Sequence, residues 1–123
     1  MSNFKSQPKN SQKDETIMEN SLYAVVITTT SSNDETEKIA NALLSNKLAA
    51  CIQATQIKSY FTWKGSVSVE PENLLLIKCK MADYADIEKC IKENHSYEVP
   101  EIIQLPITNG SDSYTEWITQ VTR

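Results

Sequence analysis

The chain has 123 residues, 40% of them apolar, which is room for one domain built on one core. A formal net charge of -4, with no cluster of Lys or Arg forming a basic stripe, excludes a general affinity for phosphate backbones, so no nucleic-acid partner is expected. No apolar run is long enough to span a bilayer, and three cysteines (Cys51, Cys79, Cys90) without C-x-x-C spacing fit a reducing, cytoplasmic setting better than a disulfide framework.

Residues 1–21 are polar, rich in Ser, Asn, Gln and Lys, and are expected to form a disordered tail, with 22–123 as a single folded domain. Tyr23 to Thr30 is apolar on both alternating sets and rich in β-branched residues, which predicts a central strand covered on both faces. Ser31-Ser32-Asn33-Asp34 is turn and cap chemistry, and Asp34 with Glu37 has capping-box spacing. Ile39, Ala40, Leu43 and Leu44 then form an apolar stripe of helical period, ending near Lys47. Leu48 to Ile52 opens a second strand that continues loosely through Ile57, Tyr60, Phe61 and Trp63 to a reversal at Lys64-Gly65. Val67 and Val69 lie on the returning arm, which Pro71 interrupts as an edge or a bulge.

Leu74 to Cys79 is a further strand, and Tyr84, Ile87 and Ile91 mark a second helix reaching Asn94 or His95. Glu101 to Ile107 is the last strand. Ser113 with Glu116 has the spacing of a capping box, followed by Tyr114, Trp117, Ile118 and Val121 at helical steps. The order predicts an α+β, ferredoxin-like βαββαβ sandwich with an extended middle hairpin and a short C-terminal helix. A hairpin that overhangs the helices and carries Tyr60, Phe61, Trp63 and Val67 needs a cover, and a second copy of the chain in a cyclic oligomer is the economical one.

Chemistry-bearing residues are few. The two glycines, Gly65 and Gly110, are isolated, which excludes phosphate-binding and dinucleotide loops. His95, the only histidine, stands at a helix end six residues before Glu101. It is either a cap favoured by the helix dipole or a metal ligand or acid–base group paired with Glu98 or Glu101. Cys51, in Leu48-Ala49-Ala50-Cys51-Ile52, reads as a buried small hydrophobe, with a soft copper ligand as the alternative. Glu98 and Glu101 read as solvated charge or as a carboxylate pair, and Trp63 and Tyr97 as packing or as pocket walls. Lys64 and Lys78 are available to an anion. No serine or cysteine shows an activating neighbour, so no enzyme activity is expected.

Leu48-Ala49-Ala50-Cys51, Tyr60-Phe61-Thr62-Trp63-Lys64-Gly65, Leu74-Leu75-Leu76-Ile77-Lys78, Tyr97-Glu98-Val99-Pro100-Glu101-Ile102 and Tyr114-x-x-Trp117-Ile118 resemble, in order and spacing, the CutA divalent-cation tolerance proteins. The resemblance covers Tyr23 to about Thr122. It implies a homotrimer of PII-like architecture, connected with copper and other divalent metals, with no obligatory cofactor and no attributed reaction. Residue by residue, it implies metal association at His95 and Glu101, with Cys51 the recurrent cysteine. The PII-like alternative is a trimer whose inter-subunit clefts, near Trp63, Lys78, Tyr97 and Glu98, take a small metabolite or a protein partner. The chain departs from the pattern at His95-Ser96-Tyr97, where the family reads His-Pro-Tyr, and at Asn94 and Thr28-Thr29, where some members carry a second histidine or a cysteine.

Overall fold

A computed structural model of the chain describes residues 21–123. Nearly all of the expected tail, residues 1–20, lies outside them. The described elements are strand β1 (Tyr23–Thr30), helix α1 (Asn33–Ser45), strands β2 (Cys51–Trp63) and β3 (Ser66–Lys80), a 3-10 turn (Met81–Asp83), helix α2 (Tyr84–Glu93), strand β4 (Ile102–Ile107) and helix α3 (Asp112–Val121). The strands form one antiparallel sheet in the order β2-β3-β1-β4. This is the predicted α+β order, with the long hairpin in the middle and the short helix at the end.

Strand alternation sorts the side chains into two faces. Ala24, Val26 and Thr28 on β1 stand in register with Cys79, Ile77 and Leu75 on β3, and all six are fully buried. Ile39 and Leu43 of α1 and Ile87 and Ile91 of α2 close over them to complete the core. Each such side chain contributes about 1.5–3 kcal/mol when removed from water. The opposite face carries Val25 and Ile27 of β1, in register with Leu105 and Ile103 of β4. On the β3 side, Ile27 and Thr29 stand against Leu76 and Leu74. Helix α3 covers one end of this second face: Thr119 bonds the Tyr23 hydroxyl, and Lys80 Nζ donates to the Arg123 carbonyl at 2.8 Å. The remainder stays open, with Ile103 and Leu105 each nearly half exposed.

Local chemistry moves several boundaries. The N-cap of α1 is Ser32, whose Oγ accepts the Glu35 N–H at 3.1 Å, so the capping pair is Ser32 and Glu35 rather than Asp34 and Glu37. The helix closes at its C-terminus with Leu48 N–H on Leu43 O and Lys47 N–H on Leu44 O, while Lys47 sits at φ 56°. This paired closure consumes residues 46–50, so β2 starts at Cys51 instead of Leu48. Helix α3 is capped at Ser111 with no side-chain bond, so the Ser113–Glu116 box does not form. Pro71 does not interrupt β3. The β2–β3 register is one-to-one through Lys58↔Pro71, and β1 pairing ends at Asn73, so the proline lies where β3 has an open edge.

The hairpin turns at Lys64 (φ 50°) and Gly65 (φ 81°), two consecutive left-handed residues, the geometry whose twist matches antiparallel strands. From Ile57↔Glu72 to Trp63↔Ser66 the hairpin continues as a two-stranded ribbon beyond the last β1 pair, Thr30↔Asn73. Asn73 anchors this step, donating to Asn33 Oδ1 at 3.0 Å and to Thr36 Oγ1 at 3.1 Å at the start of α1.

Leu44, grouped with the core by its periodicity, is 41% exposed, whereas Leu43 is fully buried. Denaturant unfolding is therefore expected to separate them. Leu43→Ala should cost about 2–5 kcal/mol, and Leu44→Ala less than about 1 kcal/mol with an unchanged m-value.

Candidate functional site

The step between sheet and ribbon is also where the polar side chains gather. The loop after α2 lays the His95 ring against the end of β1. Its side chain is fully buried while its backbone stays at the surface. Nε2 lies 2.6 Å from the Thr29 carbonyl oxygen, which only accepts, so the ring proton is on Nε2. Nδ1 accepts the Tyr97 N–H at 3.1 Å. Both ring nitrogens are thus occupied by backbone groups, and the imidazole works as a clasp between β1 and the loop.

Glu35, the third residue of α1, reaches the same loop. Its Oε2 accepts the Ser96 N–H at 3.0 Å, and its Oε1, 3.5 Å from His95 Nδ1, is buried without a hydrogen-bond partner. In a reciprocal capping box the glutamate would turn back to the cap residue's own N–H; here it ties α1 to the 95–97 segment. Tyr97 packs its ring against His95, centroids 4.8 Å apart, and donates its hydroxyl to Glu72 Oε2 at 2.6 Å. Glu72, on β3 next to Pro71, is 9% exposed. Burial pushes the Tyr97 phenol well above its ordinary range, and its hydrogen bond to Glu72 and the nearby carboxylates push it further.

The residues named from the sequence fall in three places. Trp63, Tyr97 and Glu98 come together in one cleft of about 560 Å3, between the ribbon and the loop after α2. Lys78 does not join them: it lies on β3 opposite Val25 and Cys51 and donates to Gln53 Oε1 at 2.6 Å. Glu101 is exposed just before β4, and the polar partners of His95 are Thr29, Glu35 and Tyr97. Cys51 is half-buried at the start of β2, in the row of Lys78 and Val25, and faces Tyr114 of α3. The Val25 row is four residues from Thr29 along β1, roughly 13 Å at strand rise, so Cys51 and His95 occupy different ends of the sheet. Among the described residues no three of His, Cys, Asp and Glu converge to hold a metal ion.

Cys79 is wholly buried, donates toward the Ala24 carbonyl, and has its thiol pushed up to about 12, chiefly by burial and then by Asp83. Burial likewise raises Cys90, which packs against the core edge as its helical position predicts. Neither is a nucleophile. Glu35 and Glu72 were not singled out from the sequence. The Ser32-x-x-Glu35 spacing was there to be read, whereas nothing local distinguishes Glu72.

Because the Tyr97 phenol is raised in the folded state, its contribution to stability is complete below its ordinary pKa of about 10. It is lost only as pH rises through the higher folded value. Tyr97→Phe is expected to cost about 1–3 kcal/mol at neutral pH, because the buried Glu72 carboxylate loses its donor. Urea unfolding as a function of pH should show a shallower alkaline decline for the variant than for the wild type.

Residues 24–121 match the family profile described as CutA1 divalent ion tolerance protein. The chain is 40% identical over 100 residues to the chloroplastic CutA protein of Arabidopsis thaliana, covering 80% of this chain and 55% of that one. It thus spans little more than half the length of its plant relatives. It is 35% identical over 99 residues to the divalent-cation tolerance protein CutA of Archaeoglobus fulgidus, and there the match covers 97% of the relative. The fold superposes on the divalent cation tolerance protein of Thermus thermophilus with a TM-score of 0.80 at 34% identity, covering 83% of this chain and all of that one. CutA1 from Oryza sativa gives the same TM-score at 36% identity, covering 84% and 95% of the two chains. The chain belongs to the CutA divalent-ion tolerance family.

Proposed function

We propose that the chain works as a homotrimer that responds to divalent cations by weak binding at its subunit rims, without catalysing a reaction. The observation that carries the assembly is the open apolar face. Val25, Ile27, Leu74, Leu76, Ile103 and Leu105 form a continuous patch that none of the described elements covers, and among the described residues the two-stranded ribbon beside it leaves its edges free. A patch of this kind is covered in stable proteins, and cyclic self-association is the commonest way to cover it. A face of half-buried aliphatic residues plus an overhanging ribbon suits an interface larger than the roughly 800 Å2 per partner of a standard pair.

The names of the relatives support the divalent-cation reading. Copper is the cation proposed here, with Glu101 as the accessible ligand. His95 joins it only when the imidazole leaves the Thr29 carbonyl, and Cys51 stays outside the site. Two ligands fall short of the three or four of a dedicated site, which makes the binding weak and keeps metal dispensable for folding. The three free cysteines support a reducing, cytoplasmic location. Among the described residues no helix is long and apolar enough to cross a membrane.

The second reading, a ligand or partner in a PII-like cleft, is favoured by one observation: Trp63, Tyr97 and Glu98 share a cleft. Within one chain Lys78 is not among its lining residues, while Lys64 Nζ lies 5.7 Å from the Trp63 ring centroid.

Native mass spectrometry tests assembly and metal together. The expected species has about three times the 13.9 kDa chain mass and takes up copper only in excess. Glu101→Ala should lose that copper and keep the trimer. His95→Ala should loosen the loop and lower the melting temperature before it lowers metal uptake. A stable monomer contradicts the assembly, and unchanged copper uptake in Glu101→Ala contradicts the site.

A further inference from the structure

Asn109-Gly110 stands in the loop that joins β4 to α3, and both residues are exposed. The loop follows Ile107, which pairs with Tyr23, whereas the ribbon leaves the sheet at the other end of β1, beyond Thr30. Those two ends are about 23 Å apart at strand rise. The loop therefore belongs to neither the ribbon nor the open patch assigned above to the interface. Among the described residues no hydrogen bond holds the Asn109 amide or the Gly110 N–H. The other described asparagines are held. Asn73 donates to Asn33 at 3.0 Å, and Asn46 and Asn94 donate to the Ala42 and Cys90 carbonyls at 2.7 and 2.8 Å. The N–H groups that follow Asn46 and Asn94 are bonded too, Lys47 to Leu44 O and His95 to Lys92 O. Asn41 lies inside α1. Asn109 alone combines a free amide with a free following nitrogen, and it alone precedes a glycine, so no Cβ obstructs the approach of that nitrogen.

From this arrangement we propose that Asn109-Gly110 is a site of spontaneous covalent modification, at which the side-chain amide becomes a carboxylate through a cyclic imide. The Gly110 nitrogen loses its proton and attacks Asn109 Cγ. A new N–C bond closes the ring, the bond from Cγ to Nδ2 breaks, and Nδ2 leaves with a proton as ammonia. Water then opens the imide. Cleavage between the ring nitrogen and Cγ leaves an ordinary aspartate. Cleavage between that nitrogen and the main-chain carbonyl leaves an isoaspartate, whose backbone runs through the former side chain. Water is the only co-reactant. Either product places a negative charge just ahead of α3, where the helix dipole favours it. The isoaspartate also lengthens the backbone where room is short, since a Cβ on Gly110 would stand 2.9 Å from Thr115 Cγ2. It should loosen the first turn of α3, which has no side-chain cap bond at Ser111. The proposal is independent of the trimer, copper and cleft readings.

Ageing the full-length protein in warm, mildly alkaline buffer, followed by peptide mapping with mass spectrometry, tests this. The expected result is a gain of a single mass unit at Asn109, faster than at Asn33, Asn41, Asn46, Asn73 or Asn94. Conversion should slow in mildly acidic buffer, where the Gly110 nitrogen keeps its proton. An isoaspartyl methyltransferase with a labelled methyl donor should label the same peptide of the aged protein. Asn109→Gln changes only an exposed side chain and should remove both signals with the circular dichroism spectrum unchanged. Gly110→Ala should slow conversion on the order of tenfold, because a Cβ restricts the backbone that closes the ring. That Cβ crowds Thr115 Cγ2, so Gly110→Ala/Thr115→Ser removes the clash and should show the same slowing. An unchanged Asn109 after ageing, conversion no faster than at the other five, no methyl incorporation, or undiminished conversion in both alanine variants overturns the proposal.

Discussion

Everything distinctive in this molecule depends on the unequal length of its strands. Strand β1 ends its pairing with β3 at Thr30↔Asn73, yet β2 and β3 go on to Trp63↔Ser66. On one side of that step is a closed two-layer core; on the other is a ribbon with none of the described helices above it. An isolated two-stranded ribbon is marginal in water, so its persistence has to be supported from outside. The step itself is heavily bonded. Asn73 holds the start of α1, Glu72 holds Tyr97, and the Thr29 carbonyl holds His95.

The consequence for chemistry is a division of labour around one short loop. His95, Glu35 and Glu72 face inward and fix residues 95–97. Trp63, Phe61, Glu70 and Glu98 line the cleft beside it. A histidine whose two nitrogens already serve backbone partners is a positioning residue first. Any metal that takes it up must compete with a 2.6 Å bond to Thr29 and with the packing of the ring. This is why the cation binding proposed above is weak.

The sequence was most legible where periodicity carries information. Tyr23–Thr30 is found residue for residue as β1, because a run of β-branched and apolar side chains has few alternatives. Ile39, Leu43, Ile87 and Ile91 face the core as their spacing predicts. Periodicity does not say how wide the buried stripe is, and Leu44 fell outside it. Tyr114, Trp117 and Val121 of α3 are likewise exposed in one chain, with only Ile118 buried. The site was less legible. His95 sits in a loop, where no pattern tells which way a ring points. The ring settles on the Thr29 carbonyl and the Tyr97 N–H, and the carboxylate beside it is that of Glu35, distant in sequence and recognisable only through the Ser32 cap. Lys78 illustrates the converse: alternation put it opposite its neighbour Cys79, on the open face, but only the strand register shows that this is far from Trp63.

In the proposed trimer the ribbon and the open sheet face are the surfaces between copies of this chain. β2 is an edge strand within one chain, so the N–H groups on its outer side have no partner in the sheet. Amide hydrogen exchange followed residue by residue by NMR reads them directly. In such a trimer the outward-facing amides between Ile57 and Trp63 are expected to exchange as slowly as those bonded to β3. Exchange of those amides at the rate of an unprotected peptide, alongside a protected β1, would contradict it.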